Sequence, residues 1–394
     1  METINRDSGK KIPNVPDMAL INLAIVSPNQ QQYSETFIEF HKSKLPAKIL
    51  FLYGGYLPVA SEDKKLHYSL NRLNRLKKRL WRFILPNSLD PQEKAVYTYL
   101  VSNNVQAVLA EYGMTGAALQ KVCKAAKLPL LVHFHGYDAT NRLVVNPLRS
   151  SYLSMFSYAS AVFVVSKHMK KVVADLGCPD EKMVLNTYGP SDIYFKVEPD
   201  YSRRAFLAIG RFVEKKAPDN TIKAFYQVVQ KYPGTKLHMV GAGPLLDTCV
   251  ELAASLGISE AIQFHGVQSP DKIAALMQEV TAFVQHSVTA SDGDSEGTPV
   301  AVLESAAAAL PVVATLHAGI PDVILDGKTG YLCAEHDIDA MAGNMMKILE
   351  NPTVAKNMGE LSRQRIREHF TLEKHISRIY SSIEEAVKNS KPIY

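Results

Sequence analysis

Two cations and two carboxylates stand at fixed spacings in the second half of the chain. Arg211 and Lys216 lie five residues apart just after an apolar run, and seven residues separate Glu296 from Glu304. An arginine and a lysine at the mouth of a cleft suit a diphosphate. Carboxylates accept hydrogen bonds from hydroxyl groups, as acidic residues do from ribose in dinucleotide sites. The four side chains therefore indicate a phosphorylated, hydroxyl-rich ligand, and the alternative is a set of solvated surface charges.

The stretch that carries both glutamates has the pattern strand, loop, helix, strand. An apolar run at 281–284 precedes the polar loop SVTASDGDSEG, and a second apolar run, PVVAT, follows the helix. Thr298 is a suitable N-cap and Pro299 suits the first turn, so the predicted helix begins there and ends near residue 310. Such a unit belongs to a parallel α/β sheet, which binds ligands at the carboxyl ends of its strands. Glu304 lies on an otherwise apolar helix, so its carboxylate needs a partner.

A histidine and an aspartate follow a strand end in the first half of the chain. The strand predicted at 129–134 runs into the sequence HGYD. Gly136 permits a turn directly after His135, and Asp138 comes three residues after that histidine. A histidine at the end of a parallel strand can reach a ligand. Side chains alternate along a strand, so His133 points the other way and is interpreted as a core or interface residue.

Glycines accompany the strand ends of the second half. Gly210 directly precedes Arg211, and the sequence GAGPL follows an apolar run at 236–240. Gly241 and Gly243 permit close backbone approach before a helix, an arrangement suited to phosphate groups.

Composition describes a globular chain. It has 394 residues, of which 46% are hydrophobic and 21% charged, and a net charge of +5 that gives no indication of nucleic-acid binding. This length predicts two domains. The four widely spaced cysteines predict buried thiols in a reducing compartment. The first 18 residues lack the apolar core of a signal peptide and no run approaches a membrane span, so we expect a cytoplasmic protein.

A basic amphipathic helix is predicted over Leu70–Ile84. Its leucines recur at helical spacing, and six lysines and arginines crowd the remaining face beside Trp81. Such a helix can lie on an anionic membrane, which would place the protein at the inner membrane face. The alternative is a helix that packs its leucines on the sheet and leaves its charges in solvent.

Several of these motifs resemble glycosyltransferase family 4. The resemblance rests on EGTPVAVLE with the PVVAT strand after it, on the pattern GR-x4-K at 210–216, and loosely on HG-x-D at 135–138. It implies an α/β structure of the GT-B type, with two Rossmann-like domains whose parallel sheets face a central cleft. The implied acceptor domain comprises residues 1–190 and is completed by a C-terminal helix at 373–390. The implied nucleotide-sugar domain comprises residues 203–372.

The resemblance also implies roles for individual residues. Arg211 and Lys216 would neutralise the leaving nucleotide phosphates, and Ala217 stands where the family frequently has glycine. Glu296 would steer sugar hydroxyls and Glu304 would hold the ribose. The expected catalytic set is His135, Asp138, Arg211, Lys216 and Glu296, in which His135 contacts the donor sugar and Asp138 is a helper or acceptor contact. The expected donor-binding set is Gly210, Gly241, Gly243, Pro244, Val267, Gly297, Thr298, Pro299 and Glu304, in which Val267 lies near the base.

The expected activity is retaining transfer of a hexosyl group from a nucleoside-diphosphate sugar to a hydroxyl of a glycan or lipid-linked glycan. The setting would be polysaccharide or glycoconjugate biosynthesis. The resemblance implies that fixed cations, here Arg211 and Lys216, serve the phosphates in place of a metal. No metal and no cofactor are therefore expected, and Asp292-Gly293-Asp294 is interpreted as loop polarity near the donor sugar. Two alternatives remain, namely an epimerase of the same fold and a non-catalytic protein that binds nucleotide sugars.

Overall fold

Apolar runs alternate with helices along the chain, and the runs form two sheets in succession. The computed structural model describes residues 20–33, 35–63, 65–66 and 88–390. The first sheet contains β1 (Asn22–Val26), β2 (Lys48–Tyr53), β3 (Ala60–Ser61), β4 (Ala107–Glu111), β5 (Leu130–His133), β6 (Ala161–Val164) and β7 (Met183–Leu185). Its described helices are α1 (Thr36–Lys44), α2 (Pro91–Ser102), α3 (Gly113–Ala126), α4 (Tyr137–Thr140), α5 (Arg142–Tyr158) and α6 (Lys167–Asp175).

The second sheet is built in the same way. Its strands are β8 (Ala205–Ile209), β9 (Lys236–Val240), β10 (Ile262–Phe264), β11 (Ala282–Gln285), β12 (Val312–Thr315) and β13 (Gly330–Cys333). The helices of this half are α7 (Pro218–Lys231), α8 (Leu246–Ser255), α9 (Pro270–Gln278), α10 (Val300–Ala307), α11 (Ile320–Val323), α12 (Ile338–Glu350), α13 (Pro352–His369) and α14 (Leu372–Asn389). Short 3-10 turns at Tyr194–Lys196 and Glu214–Lys216 connect some of these elements.

Strand order reverses at one point in each sheet. The orders are β3-β2-β1-β4-β5-β6-β7 and β10-β9-β8-β11-β12-β13, and the pairs are parallel apart from the antiparallel pair β2–β3. Central strands such as β4 and β12 are buried along their whole length because helices cover both faces of a parallel sheet. The reversal points, between β1 and β4 and between β8 and β11, are where open α/β sheets form ligand crevices.

The last helix returns to the first sheet. Ile376, Ile379 and Ile383 form the buried face of α14, which packs against α1 and β4. The helix ends at Asn389, within one residue of the predicted 390. The domain limits at residues 190 and 203 remain predictions.

The helix after the central loop starts later and ends earlier than predicted. It comprises Val300–Ala307, and Pro299 is its N-cap without a side-chain capping bond. Thr298, the predicted N-cap, instead donates its hydroxyl to the Val165 carbonyl at 2.7 Å. This contact joins the loop before α10 to the first half of the chain.

The four cysteines are buried free thiols, as predicted, and the reducing compartment stays a prediction. Among the described residues, no helix combines the length and the apolarity that crossing a bilayer requires. The predicted basic helix at Leu70–Ile84 lies outside the described residues.

Candidate active site

Lys216 and Glu296 form an ion pair at the reversal point of the second sheet. Lys216 lies in the short turn after β8 and Glu296 in the loop after β11, and these two strands are neighbours in the sheet. The Lys216 Nζ atom lies 2.9 Å from Glu296 Oε1, and both side chains are largely buried. Burial opposes ionisation of Glu296, but the two neighbouring lysines outweigh it and lower the pKa of the carboxyl to about 2. Burial also lowers the pKa of Lys216, and Glu296 counteracts that effect.

A second buried ion pair lies beside the first. Lys215 Nζ is 2.9 Å from Asp294 Oδ1, with both side chains largely shielded from solvent. Asp292 accepts a hydrogen bond from Asn141 Nδ2 at 2.6 Å, and its carbonyl accepts one from the Arg142 amide at 2.9 Å. The two aspartates therefore have structural partners: Asp294 fixes Lys215, and Asp292 ties the loop to the first half of the chain.

Arg211 lies at the exposed rim of this site. Its positive charge contributes to lowering the pKa of Lys216, after the larger effect of burial. Gly210, Arg211 and Lys216 line a pocket together with Gln285 at the end of β11. The amide oxygen of Gln285 is buried and has no hydrogen-bond partner among the described residues. An unpaired buried acceptor beside cations marks a place where a ligand can contribute a donor.

The glycines bring neighbouring loops into contact. Gly241 has a φ of +137°, and a Cβ there would lie 1.9 Å from the Gly210 carbonyl oxygen. Only glycine allows this approach of the turn after β9 to the turn after β8. Gly243 and Pro244 follow at the surface, and Val267 is 46% exposed beyond β10.

Ala217 stands where the resembling family frequently has glycine, and its backbone conformation is one that suits glycine. It has φ +35° and ψ 56°, in the left-handed region that glycine adopts without strain. The residue is buried and directly precedes α7. The frequent glycine of the family would therefore suit this position.

The turn after β5 meets the loop that carries Glu296. A Cβ at Gly297 would lie 2.4 Å from the His135 carbonyl oxygen, and one at Gly136 would lie 3.0 Å from the Gly297 nitrogen. The structure thus brings His135 and Glu296, 161 residues apart in the sequence, onto adjoining turns. The two halves of the chain meet at this point.

Asp138 is fully occupied by backbone groups. One carboxylate oxygen accepts from the amides of His135 and Gly136 at 2.9 Å, and the other accepts from the Gly113 amide at 2.8 Å. The side chain is completely buried. Its observed contacts hold the turn at His135, whereas its predicted role as helper or acceptor contact stays a prediction.

The residues that form the candidate active site in the second half lie within a segment that matches a known family. Residues 192–365 match the family described as Glycosyl transferases group 1. The second half of the chain contains a group 1 glycosyltransferase domain. That match includes Arg211, Lys216, Glu296 and Glu304.

Relatives extend the likeness beyond the group 1 domain. The chain is 27% identical over 245 residues to the amylovoran biosynthesis glycosyltransferase AmsK of Erwinia amylovora, which covers 61% of this chain and 60% of AmsK. It is 28% identical over 290 residues to N-acetyl-alpha-D-glucosaminyl L-malate synthase of Bacillus anthracis, covering 70% and 73% of the two chains. The chain thus spans about three fifths of the length of AmsK.

A solved structure shows the fold. HepE of Anabaena superposes with a TM-score of 0.73 and 15% identity, covering 93% of this chain and all of HepE. The two parallel-sheet domains form the predicted GT-B fold.

Glu304 lies on α10 of the group 1 domain and has the partner that its apolar surroundings required. Burial raises the pKa of its carboxyl to about 8, and a hydrogen bond from Tyr194 opposes that rise. Tyr194 belongs to the short turn between the two sheets. Burial therefore favours the neutral, protonated form of the Glu304 carboxyl.

Two residues of the candidate active site, His317 and Glu111, were not predicted from the sequence. His317, just after β12, accepts a hydrogen bond from the Glu296 amide at Nε2 (3.1 Å) and donates from Nδ1 to Glu335 (2.6 Å). Glu111 ends β4 and contacts His135 Nε2 at 2.9 Å. Glu111 is the last residue of an apolar strand and His317 follows one, a position similar to that which pointed to His135.

Proposed function

We propose that the protein is a retaining glycosyltransferase of family 4. It would transfer a hexosyl group from a nucleoside-diphosphate sugar to a hydroxyl of a glycan or lipid-linked glycan in polysaccharide or glycoconjugate biosynthesis. The observation that carries this proposal is the buried Lys216–Glu296 pair at the sheet reversal point. A buried ion pair contributes little net stability, and ionisable groups with shifted pKa values in a cleft are typical of functional sites.

The charge balance of the site supports a diphosphate. Arg211, Lys215 and Lys216 stand against Glu296 and Asp294 at this edge, which leaves one positive charge in excess among these five groups. A lysine ammonium has three donors, and the Glu296 contact uses one of them. The remaining donors of Lys216, with the Arg211 fork at the rim, suit phosphate oxygens. The unpaired Gln285 oxygen offers an acceptor in the same pocket.

Catalysis would rest on the leaving group. In a front-face retaining reaction, the departing phosphate oxygen takes the proton of the acceptor hydroxyl as the new glycosidic bond forms on the same face. Arg211 and Lys216 would stabilise the charge that develops on the diphosphate, which is the largest contribution that fixed groups can supply. Glu296 would orient sugar hydroxyls, His135 would contact the sugar, and no metal would be required. Engagement of Asp292 and Asp294 with protein partners supports the last point.

The ligands of a structurally similar protein suggest which donors to test first. HepE was crystallised with UDP and with UDP-glucose. AmsK is named for the biosynthesis of amylovoran. These names support a uridine diphosphate sugar as the first donor to test and a glycan as the acceptor. A contact between Leu70–Ile84 and a membrane would suit a lipid-linked acceptor and remains a prediction.

A donor screen tests the proposal directly. Purified protein is melted with UDP- and GDP-sugars, since a ligand at 100 times its Kd adds about 2.7 kcal/mol of stability. Each stabilising donor is then incubated with the enzyme alone, and release of nucleoside diphosphate is measured. Slow hydrolysis with loss of the sugar supports a transferase. Binding without turnover would support the non-catalytic alternative, and conversion of the sugar into its epimer would support the other.

A further inference from the structure

Five polar side chains form a buried cluster behind the candidate active site, and we call it the histidine cluster. Its members come from α1, from the end of β4, from β5 and the turn after it, and from α14: His41, Glu111, His133, His135 and His375. His41, Glu111 and His133 have no exposed surface, and His375 is 1% exposed. Because hydrogen bonds are strong in a buried environment, they favour one arrangement of hydrogens within such a cluster.

The direction of each hydrogen bond can be followed from the carbonyl at one end. His375 Nδ1 lies 3.1 Å from the Thr187 carbonyl oxygen, so this nitrogen carries the hydrogen. Burial and the nearby His41 hold the pKa of His375 well below its ordinary value, so the ring is neutral and its Nε2 is an acceptor. His41 Nε2, at 2.8 Å, must therefore donate to it.

The other nitrogen of His41 must donate as well. His41 Nδ1 lies 2.6 Å from Glu111 Oε1, the distance of a charge-assisted hydrogen bond. Although burial opposes ionisation, His41 and the two histidines of β5 and its turn hold the pKa of Glu111 well below its ordinary value. Because the ionised carboxylate only accepts, both nitrogens of His41 carry hydrogen. The hydrogen-bond geometry thus assigns two N–H groups to His41, one facing Glu111 and one facing His375.

The second oxygen of Glu111 determines the state of His135. Glu111 Oε2 lies 2.9 Å from His135 Nε2, and His135 Nδ1 lies 2.6 Å from the Tyr188 hydroxyl. The carboxylate accepts a hydrogen bond from Nε2, and the Tyr188 hydroxyl donates to Nδ1. The ring also stacks on Phe37 at 4.4 Å between centroids. His133 Nδ1 lies 3.3 Å from the same His135 Nε2, but the shorter contact to the Glu111 carboxylate, at 2.9 Å, requires the hydrogen on that nitrogen. His133 Nε2 has no hydrogen-bond partner among the described residues. With the hydrogen of His135 on Nε2, the contacts to both Glu111 and Tyr188 are satisfied.

A metal site at His41, Glu111 and His133 is the competing arrangement, since one donor atom of each lies within 4.8 Å of the others. Ligand atoms around a tetrahedral zinc stand about 2.0–2.1 Å from the ion, which places them about 3.3 Å apart. The 2.6 Å contact between His41 and Glu111 is too short for two such ligands. Hydrogen bonding accounts for this contact, whereas metal coordination would have to open it.

We propose that Glu111 and His41 are positioning residues that hold His135 as a neutral ring with its hydrogen on Nε2. His41 supplies the charge that keeps Glu111 ionised, and Glu111 supplies the acceptor that selects the tautomer. The turn of His135 and Gly136, which adjoins Gly297, is fixed as a result. This inference rests on the proposed function for its kinetic consequence, but its structural content does not depend on activity.

Nitrogen-15 NMR of histidine-labelled protein tests the structural content. The His41 and His135 signals are assigned by His41→Gln and His135→Asn. At pH 7 we expect both His41 nitrogens to be protonated and His135 to be protonated on Nε2 alone. Glu111→Gln should remove one His41 proton, because a neutral amide cannot balance the imidazolium. Glu93→Gln is the matched control: Glu93 is a buried carboxylate on α2, and its loss should leave both signals unchanged.

Kinetics tests the consequence for transfer. Glu111→Gln should lower kcat about 10- to 100-fold, the range typical of groups that orient an active-site side chain. KM for the donor should change by less than about threefold, and Glu93→Gln should retain kcat. A neutral His41, a His135 protonated on Nδ1, or one zinc ion per purified chain would overturn the proposal. If no nucleotide sugar is turned over, the proposed function fails and the NMR result still decides the proton positions.

Discussion

At the residue scale, charged side chains that are far apart in the sequence form buried ion pairs. Lys216 and Glu296 are each largely buried, so removing one leaves the other without compensation. Breaking a buried pair costs about 3–5 kcal/mol, whereas removing both partners is often close to neutral. This asymmetry separates an effect on folding from an effect on the reaction.

The first prediction concerns this pair. Lys216→Met should lower the free energy of unfolding by about 3–5 kcal/mol and turnover by about 10²–10³-fold. Adding Glu296→Gln should restore most of the stability without restoring turnover. Urea unfolding and donor turnover are measured on both variants. Lys223→Met, on the partly exposed side of α7, is the control and should change neither quantity by much. A double variant with normal turnover would exclude the proposed roles.

The second prediction follows from the raised pKa of Glu304. Its folded-state pKa of about 8 exceeds the ordinary value of 4.5, so the folded protein holds this proton more tightly. Its contribution to stability is present below pH 4.5 and is lost as pH rises towards 8, by at most about 1.4 kcal/mol for each pH unit in that interval. Glu304→Gln should remove this part of the pH dependence. Unfolding free energies at pH 5 and pH 8 are compared for both proteins, with Glu251→Gln, an exposed position on α8, as the control. Equal slopes in wild type and Glu304→Gln would contradict the assignment.

At the element scale, the loop after β11 is held by close backbone contacts. Gly297 lies against the turn after β5, and the hydroxyl of Thr298 bonds to the Val165 carbonyl at the end of the β6 run. A side chain larger than hydrogen at Gly297 would push these turns apart. The position of Glu296 would move with them.

The third prediction tests this contact. Gly297→Ala places a Cβ 2.4 Å from the His135 carbonyl oxygen and should cost about 1–3 kcal/mol of stability. It should also lower turnover at least about tenfold, since small displacements of positioned groups are costly to the rate. Gly343→Ala is the control, because its Cβ meets nothing within 4 Å inside α12. That change should stabilise the protein by about 0.5–1 kcal/mol. Unchanged turnover in Gly297→Ala would show that the contact is not needed.

At the scale of the whole molecule, side chains and backbone groups tie the two halves of the chain together. Asn141 and Arg142 contact Asp292, and the Lys167 amide donates to Asp322 Oδ2 at 2.7 Å. The ties at Asp292 hold the loop that carries Glu296. A loop that is already ordered loses less conformational entropy on binding.

The fourth prediction concerns this ordering. Asp292→Ala should raise KM for the donor about three- to tenfold, which corresponds to the loss of about one ordinary hydrogen bond, and should change kcat less. Initial rates over a range of donor concentrations give both constants. Asp247→Ala, at the start of α8, is the control and should match wild type. An unchanged KM in Asp292→Ala would show that the tie does not contribute to donor binding.

Local pattern was sufficient for much of the fold. Apolar runs predicted the strands, and the loop and helix after β11 were located because strands, caps and turns depend on neighbouring residues. The start of α10 was wrong by one residue: its N-cap is Pro299, and the hydroxyl of the predicted N-cap, Thr298, donates to a carbonyl 133 positions earlier. The sequence also predicted that Glu304 needs a partner, because burying an unpaired carboxylate on an apolar helix is unfavourable.

The amino-acid sequence was enough to show which side chains follow predicted strands. It therefore identified the candidates Arg211, Lys216, Glu296 and His135. The tertiary structure alone decided their partners. Lys216 and Glu296 are 80 residues apart, and they meet because β8 and β11 are neighbours in the sheet. The histidine cluster likewise joins α1, β4, β5 and α14, whose contacts depend on sheet order and on the return of the last helix. The spacing of residues along the chain does not predict such pairs, because they form only when distant elements pack together.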